Sequence, residues 1–410
     1  MNQVLLSQKH SGIVKSMQNS SMSMGDFVYG VSSSSPNLSK QVVKLNSNNG
    51  IAATVTSQDV VFSLPRNGFC TKAYLVLTLN NADNWNNASW IAPRYVDAMS
   101  LRARGIELRR ASGTNLIQNA VSHDGSSVDS RMRQIQGLMA KSPATNLGSV
   151  QVVVDVGKAL GFDSSHESVQ NSIDTLFVEN CDIHVKLNDM TQVFDIAAAE
   201  GSGLGSAQLF CEYVQLSSSD YDAFKSKNYS SSESTRRLCL YGERENPVAN
   251  TASLAAEVTV PIRYKGLIRK SFIQVWNPVN GVQTQPMGNV TKVELYASGS
   301  LLWNCDQAGL LANKLFINPT VFNSGDTENG LKAAGNDNVM GGQEINWALI
   351  SDNSDKSSFF SGALNTADLT NVELRVTTDN VTGVVDVCHQ VMAMESTDGN
   401  SGMLSISSRQ

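Results

Sequence analysis

Lys72-Ala73-Tyr74-Leu75-Val76-Leu77-Thr78-Leu79, and Lys270-Ser271-Phe272-Ile273-Gln274-Val275 in the second half of the chain, are the stretches on which the fold turns. The first is apolar at nearly every position from Ala73 to Leu79, the pattern of a strand covered on both faces. A turn at Asn67-Gly68 precedes it, and before the turn Val60-Val61-Phe62-Ser63-Leu64 runs into Pro65. Beyond the polar residues 80–87, a strand pair is expected around Met99-Ser100-Leu101-Arg102 and Ile106-Glu107-Leu108, turning at Ala111-Ser112-Gly113. Val128, Met132, Ile135 and Met139 then share one face of a helix expected over 128–139. Strands resume over 150–156, 183–187 and 209–216. In Ile183-His184-Val185-Lys186-Leu187 the strict alternation puts Ile183, Val185 and Leu187 inward.

The second half restates this order. Val258-Thr259-Val260-Pro261 matches Phe62-Ser63-Leu64-Pro65, and Lys270 to Val275 matches Lys72 to Leu77. Val293-Glu294-Leu295-Tyr296-Ala297-Ser298-Gly299 echoes Ile106-Glu107-Leu108 with Ala111-Ser112-Gly113. Val372 to Val376 followed by Val385 to Met394 parallels Ile183 to Leu187 followed by Leu209 to Leu216, with Cys388 placed like Cys211. Repeats this long are whole domains, since solenoid units span only about 20–50 residues. The chain divides accordingly into an N-terminal arm (1–50), a first β-sandwich (51–220), a Ser-rich linker (221–237) and a second β-sandwich (238–410). Ile13, Val14 and Met17 would line one face of a short helix in the arm, which reads either as an ordered contact or as a disordered tail, since a helix this short is marginal alone.

Composition agrees with an all-β protein. The 410 residues are 41% hydrophobic and 17% charged, against the roughly 25% charged residues usual in globular proteins. Ser, Asn, Thr, Val and Gly are abundant, which suits strands and polar turns. No apolar run approaches the ~20 residues of a membrane-spanning helix. The net charge of −6 argues against a protein whose task is neutralising phosphates, so no specific nucleic acid is expected. The N-terminal Val4-Leu5-Leu6 is too short for a secretory core, and intracellular synthesis is the expectation.

Candidate chemistry is sparse. Cys70, Cys181, Cys211, Cys239, Cys305 and Cys388 never form C-x-x-C and mostly sit in or beside apolar runs, so free buried thiols are expected. His184 and His389 lie in strands with no ligand partner at metal spacing, and a structural role is expected of both. Gly201-Ser202-Gly203-Leu204-Gly205 lacks the Lys-Ser/Thr of a phosphate loop and precedes a strand, which fits a hairpin connection. Asn-rich acidic stretches at 80–84, 336–338 and 352–355 offer oxygen ligands for calcium without EF-hand spacing. No catalytic, cofactor or metal site is assigned. Arg102, Arg104, Arg109 and Arg110 form a basic cluster suited to an acidic neighbouring surface, and are the candidate interface together with Ile13, Val14 and Met17.

The repeated scheme, Phe62-Ser63-Leu64-Pro65 before a long apolar strand and the segment 97–108 leading through a Gly turn to a helix, resembles the double jelly-roll major capsid proteins of tailless icosahedral viruses. These include membrane-containing bacteriophages and adenovirus hexon. The resemblance covers about 55–400. It implies two tandem eight-stranded jelly rolls with short helices in the connections, and a virion shell protein made in the host cytoplasm. The chain would form homotrimers that build pseudo-hexagonal capsomers, with strands perpendicular to the shell and the arm on the inner side. Neighbouring capsomers, minor capsid and vertex proteins, and an internal lipid membrane reached through the arm are the implied partners, and no enzyme activity is implied. Two other readings fit a tandem β-sandwich. One is a spike or adhesin binding glycans, for which Trp85 and Trp90 are the nearest aromatic pair. The other is a glycosidase, which needs two carboxylates about 5–9.5 Å apart.

Overall fold

The computed structural model describes residues 38–51, 56–80, 94–116, 149–161, 172–190, 203–228, 235–250, 257–279, 282–286, 290–306, 308–309, 343–347, 363–378, 383–397 and 404–407. The first half contains, in chain order, β1 (Leu38–Asn46), β2 (Gln58–Ser63), β3 (Phe69–Asn80), β4 (Val96–Ala103), β5 (Ile106–Ser112), β6 (Ser149–Asp155), α1 (Val156–Ala159), β7 (Ile173–Asp174), β8 (Cys181–Leu187), β9 (Gly203–Leu216) and α2 (Ser218–Asn228). Its two sheets run β1-β9-β3-β6, with β7 also on β3, and β2-β8-β4-β5.

The second half contains β10 (Thr235–Arg244), β11 (Val248–Asn250), β12 (Glu257–Pro261), β13 (Leu267–Val279), β14 (Val282–Pro286), β15 (Val290–Ala297), β16 (Ser300–Asp306), β17 (Gln343–Asn346), β18 (Leu364–Asn365), β19 (Val372–Thr378), β20 (Gly383–Thr397) and β21 (Leu404–Ser407). Its sheets are β10-β20-β13-β14, with β17 and β18 on β13 and with β11 and β21 on β20, and β12-β19-β15-β16. Each half is a jelly roll with the same antiparallel order, and each encloses its own core. One core is built around Phe62, Leu75, Leu101, Ile183 and Leu209, the other around Val260, Ile273, Leu295, Leu374 and Val387.

The duplication reaches below the order of strands. The ladders make Leu101, opposite Ile183, the counterpart of Leu295, opposite Leu374. Strands β4 and β15 alternate buried and half-buried residues identically along their length. Three β-bulges recur at matching places: Cys70/Lys72 and Ile268/Lys270, Val96/Ala98 and Val290/Lys292, Leu101/Arg102 and Leu295/Tyr296. The non-glycine residues with left-handed backbone also pair off, Arg104 (φ 49°) with Ser298 (φ 50°), and Asn180 (φ 52°) with Asn371 (φ 48°). Bulges and left-handed turns bend and end strands at set points, so their recurrence marks one backbone built twice. A motif that sequence reading missed recurs as well. Thr175 donates backbone N–H (3.0 Å) and hydroxyl (2.7 Å) to the carbonyl of Gly68, and Thr366 does the same to Gly266 at 2.9 and 3.0 Å.

Several expectations change. Residues 38–46, assigned to the arm, form β1 and pair along their whole length with β9. The Ser-rich segment assigned as linker holds α2, whose start Ser217 caps by accepting from Asp220 N–H (3.2 Å). Phe224 anchors it, buried against Phe69 with ring centroids 5.2 Å apart. The Ser217-Ser218-Ser219-Asp220 spacing, close to a capping box, is the signal that was available. Gly203 and Gly205 belong to β9, and the Asn80 side-chain amide packs over Gly205, where a Cβ would lie 2.5 Å from its Oδ1.

The ladders also correct the alignment of the halves. Ser298-Gly299 matches the Arg104-Gly105 turn between β4 and β5, one strand earlier than the Ala111-Ser112-Gly113 match. Cys388 matches Phe210, and Cys211 matches His389, because the bulge after Cys70 fixes the register. Phe62 matches Val260, two residues from the proline-based alignment. A two-residue shift keeps every side chain on its own face, which is why the pattern alone did not expose it. Finally, the two faces of β3 differ: Ala73, Leu75, Leu77 and Leu79 are buried, while on the other face Tyr74 is 36% exposed and Val76 and Thr78 are half-buried. The helix expected over 128–139, Trp85 and Trp90, Cys239's side chain, and most of the proposed calcium-binding stretches lie outside the described residues.

Candidate functional site at the contact between the jelly rolls

The first jelly roll touches the second through the edge strand β5 and the helical turn that follows it at 113–116, which lie against β10 and the outer face of the sheet β10-β20-β13. Polar residues make this contact, and they are almost wholly buried. The Thr114 hydroxyl donates to Asp386 Oδ2 across the boundary at 2.7 Å, and Arg244 Nε donates to Asp386 Oδ1 at 2.8 Å. Asp386 has no exposed surface. Burial works against the Arg244 charge, and the Asp386 carboxylate outweighs it, so the guanidinium pKa stands above its usual value.

Shape completes what charge begins. Asn115 Oδ1 accepts from the backbone N–H (2.9 Å) and hydroxyl (3.1 Å) of Ser112, closing the turn, and Ser112 Oγ lies 3.6 Å from Cys388 Sγ. Asn115 then packs flat on Gly242 of β10, where a Cβ would come within 2.6 Å of its Cγ. Next to it, burial and the charges of Glu245 and Glu107 push the Glu243 carboxyl up to about 7, with Arg110 opposing them.

The four arginines read as one patch have separate surroundings. Arg102 lies 3.5 Å from Glu107, and Arg104 donates to Glu179 at 3.1 Å, both within the first jelly roll and partly exposed. Arg109 is buried, pointing from β5 toward the core side, with Nη1 donating to the carbonyl of Leu160 at 2.9 Å. Arg110 is exposed and sits near Glu243. Arg109 therefore does not share a surface with the others. Ile13, Val14 and Met17 lie outside the described residues.

A second buried cluster sits inside the second jelly roll. Trp347 Nε1 donates to Ser271 Oγ (2.8 Å), Ser271 Oγ lies 2.8 Å from His389 Nδ1, and His389 Nε2 lies 3.5 Å from Glu245 Oε1. Glu245 also accepts from the backbone N–H of Arg263 and Tyr264 at 2.9 and 3.0 Å. Burial alone would raise its pKa, but His389 and these donors bring it below the usual value. Ser, His and a carboxylate in line are the residue types of a hydrolase, yet Ser271 and His389 are fully buried and Trp347 occupies the serine oxygen. The cluster is a polar pin between β13 and β20. Among the described residues five cysteines are free thiols, four of them buried and Cys305 half-buried. Among the described residues no three His, Cys, Asp or Glu side chains converge as a metal site.

Two jelly rolls in one chain, joined by a buried polar contact, define a double jelly-roll fold. The fold is similar to that of PBCV-1 VP54, a structure fitted into a reconstruction of the virophage Sputnik. The match has a TM-score of 0.67 at 10% identity and covers 92% of this chain and 98% of that one. The Faustovirus major capsid protein matches with a TM-score of 0.53 at 8% identity, over 88% of this chain and 91% of that one. For the mavirus major capsid protein the values are 0.50, 9%, 89% and 90%. No family model and no curated protein matches the sequence.

Proposed function

We propose that this chain is the major capsid protein of an icosahedral virus, a building block that acts by packing and carries out no catalysis. The observation that carries this reading is the likeness to PBCV-1 VP54 over nearly the whole of both chains, 92% and 98%. Proteins named as major capsid proteins of Faustovirus and mavirus share the fold. A double jelly roll suits lateral packing, because two similar halves present similar sides to their neighbours, and closed jelly rolls protect their own sheet edges. In this reading the working unit is a homotrimer with a pseudo-hexagonal outline. It packs against neighbouring capsomers and against minor capsid and vertex proteins in the virion shell.

The orientation of the chain supports a contact role for the N-terminal arm. Leu38 starts β1 opposite Leu216, at the end of the jelly roll where the short turns are tied together. There Arg66 donates to the carbonyl of Leu176 at 2.5 Å and Arg104 to Glu179 at 3.1 Å. In this reading the arm that precedes β1 meets a neighbouring capsomer or an internal membrane through Ile13, Val14 and Met17. Native mass measurement of the purified chain tests the reading together with negative-stain imaging: a three-fold mass and pseudo-hexagonal particles are expected. A protein that stays monomeric at high concentration would overturn it.

A further inference from the structure

Strand β2 ends its sheet, and the segment that follows β1 covers its outer edge. Asn48 N–H donates to the carbonyl of Val61 at 2.8 Å, and Asn48 Nδ2 donates to Ser63 Oγ at 2.6 Å. Asn49 completes the cover with its side-chain amide. Val61 N–H donates to Asn49 Oδ1 at 3.0 Å, and Asn49 Nδ2 donates to the carbonyl of Asp59. One amide thus takes the place of a neighbouring strand and blunts an edge that would otherwise present unpaired backbone groups. The same partners fix which end of the amide is oxygen, because the Val61 N–H only donates and the Asp59 carbonyl only accepts.

The residue after Asn49 is Gly50, and both are exposed. An Asn-Gly pair carries a reaction of its own. With no side chain on the glycine, its main-chain nitrogen reaches the asparagine Cγ. The new N–C bond closes a cyclic imide, the Cγ–Nδ2 bond breaks, and ammonia leaves after the glycine N–H proton has passed to it through water. A water molecule then opens the imide at either carbonyl, giving Asp or isoAsp.

The surroundings of Asn49 favour the first step. Negative charge develops on Oδ1 as the nitrogen attacks, and Oδ1 already faces Val61 N–H at 3.0 Å and Ser47 Oγ at 2.7 Å. Donors aimed at an oxygen that gains charge lower the barrier. Ser47 Oγ also lies 2.6 Å from the main-chain carbonyl of Asn49, which is conjugated to the attacking Gly50 nitrogen. Its one proton therefore polarises either the amide under attack or the peptide that supplies the nucleophile. Among the described residues nothing stands within 4 Å of where a Gly50 Cβ would lie, so closure has room.

The same dipeptide at Asn67-Gly68 has the opposite setting. Gly68 is buried with φ 113°, and a Cβ on it would lie 2.5 Å from the carbonyl oxygen of Val214. Its own carbonyl is held by the backbone N–H and hydroxyl of Thr175, and Asn67 N–H donates to Thr175 Oγ1 at 3.1 Å. Ring closure there would pull Gly68 out of this clamp.

We propose that Asn49 is a self-modification site of the folded chain, where the Gly50 nitrogen displaces ammonia with Ser47 and Val61 assisting, and that the fold protects Asn67. The inference goes beyond the capsid reading and does not depend on it. The product carboxylate has no N–H for the Asp59 carbonyl, and isoAsp also lengthens the main chain, so the reaction uncovers the edge of β2.

The test is peptide mapping by mass spectrometry after long incubation of the full chain at mildly alkaline pH, folded and, in parallel, unfolded in guanidinium chloride. Conversion to Asp and isoAsp at Asn49 but not at Asn67 is expected in the folded chain, and conversion at both in the unfolded one. Ser47→Ala is expected to slow the folded-state reaction by about tenfold and to leave the unfolded rate unchanged, which separates assistance by the fold from the reactivity of the dipeptide. Gly50→Ala, which the open space accommodates, is expected to suppress conversion over the same incubation with an unchanged unfolding midpoint. The proposal is overturned if Asn49 stays intact in the folded chain while it converts in the unfolded one, if Asn67 converts as fast as Asn49 in the folded chain, or if folded Ser47→Ala reacts at the wild-type rate.

Discussion

Thr114→Val removes one hydroxyl and keeps the shape of the side chain, so it isolates the bond that crosses between the jelly rolls. Thr114 is buried, and its hydroxyl donates at 2.7 Å to a carboxylate with no exposed surface. A hydrogen bond to a charged group contributes about 1.5–3 kcal/mol, and the lost donor leaves Asp386 Oδ2 short of a partner, so a loss of about 2 kcal/mol is expected. Asp386→Ala goes further by leaving Arg244 charged and mostly buried beside an absent partner, at a cost of about 3–5 kcal/mol. On that background Thr114→Val has no acceptor left to lose and should cost under about 0.5 kcal/mol, giving a coupling energy of about 1.5 kcal/mol. Equilibrium urea unfolding followed by circular dichroism measures all four corners of this cycle, on monomeric protein at low concentration so that association does not contribute. A second readout is cooperativity, since loosening the contact should split one transition into two as each core unfolds by itself. A Thr114→Val midpoint equal to wild type, or full additivity with Asp386→Ala, would refute the claim that this bond holds the two halves together.

Two further outcomes are expected. Glu243 has its carboxyl pushed up to about 7 from 4.5 by burial and by Glu245 and Glu107. Its folded-state pKa therefore lies above the unfolded one. The stability associated with its protonated form is complete below about pH 4.5 and is lost as pH rises through about 7. Glu243→Gln should flatten that part of the pH–stability curve and stabilise the protein by about 1 kcal/mol at pH 8, after allowance for partial exposure; an unchanged slope between pH 5 and about 7.5 would count against the assignment. Ser271→Ala deprives the Trp347 indole N–H and the His389 ring of their shared partner in a sealed site. A loss of about 2–4 kcal/mol and a shifted Trp347 emission are expected, and a loss under about 0.5 kcal/mol would contradict the pin role.

Strand positions were the most legible part of the sequence. Ile183 to Leu187 shows the alternation that β8 has, with Ile183, Val185 and Leu187 buried. The repeat was legible in order but not in register, because Val293-Glu294-Leu295 and Ile106-Glu107-Leu108 are alike as strings while their ladders place them on different strands. Strand β1 was hidden by its polar residues. Ser39, Lys40, Gln41 and Lys44 are exposed in an edge strand, so Leu38–Asn46 reads as loop although every residue pairs with β9. The buried contact left the faintest trace. Thr114, Asn115, Arg244 and Asp386 are ordinary surface types, and neither spacing nor charge distinguishes them from solvated residues until the fold brings them together.

What the sequence by itself determined is local and periodic: two similar all-β halves, the strands that repeat in them, and the absence of any clustered catalytic motif. Alternation and turn residues act over a few positions, so they survive in one dimension. The tertiary structure alone decided which outer sheet face is dry. Tyr74 and Phe272 occupy the same position in the two halves, yet one is exposed and the other buried. The difference lies in the first jelly roll, whose 112–116 turn covers the second sheet and cannot cover its own, and burial of that kind depends on neighbours distant in sequence.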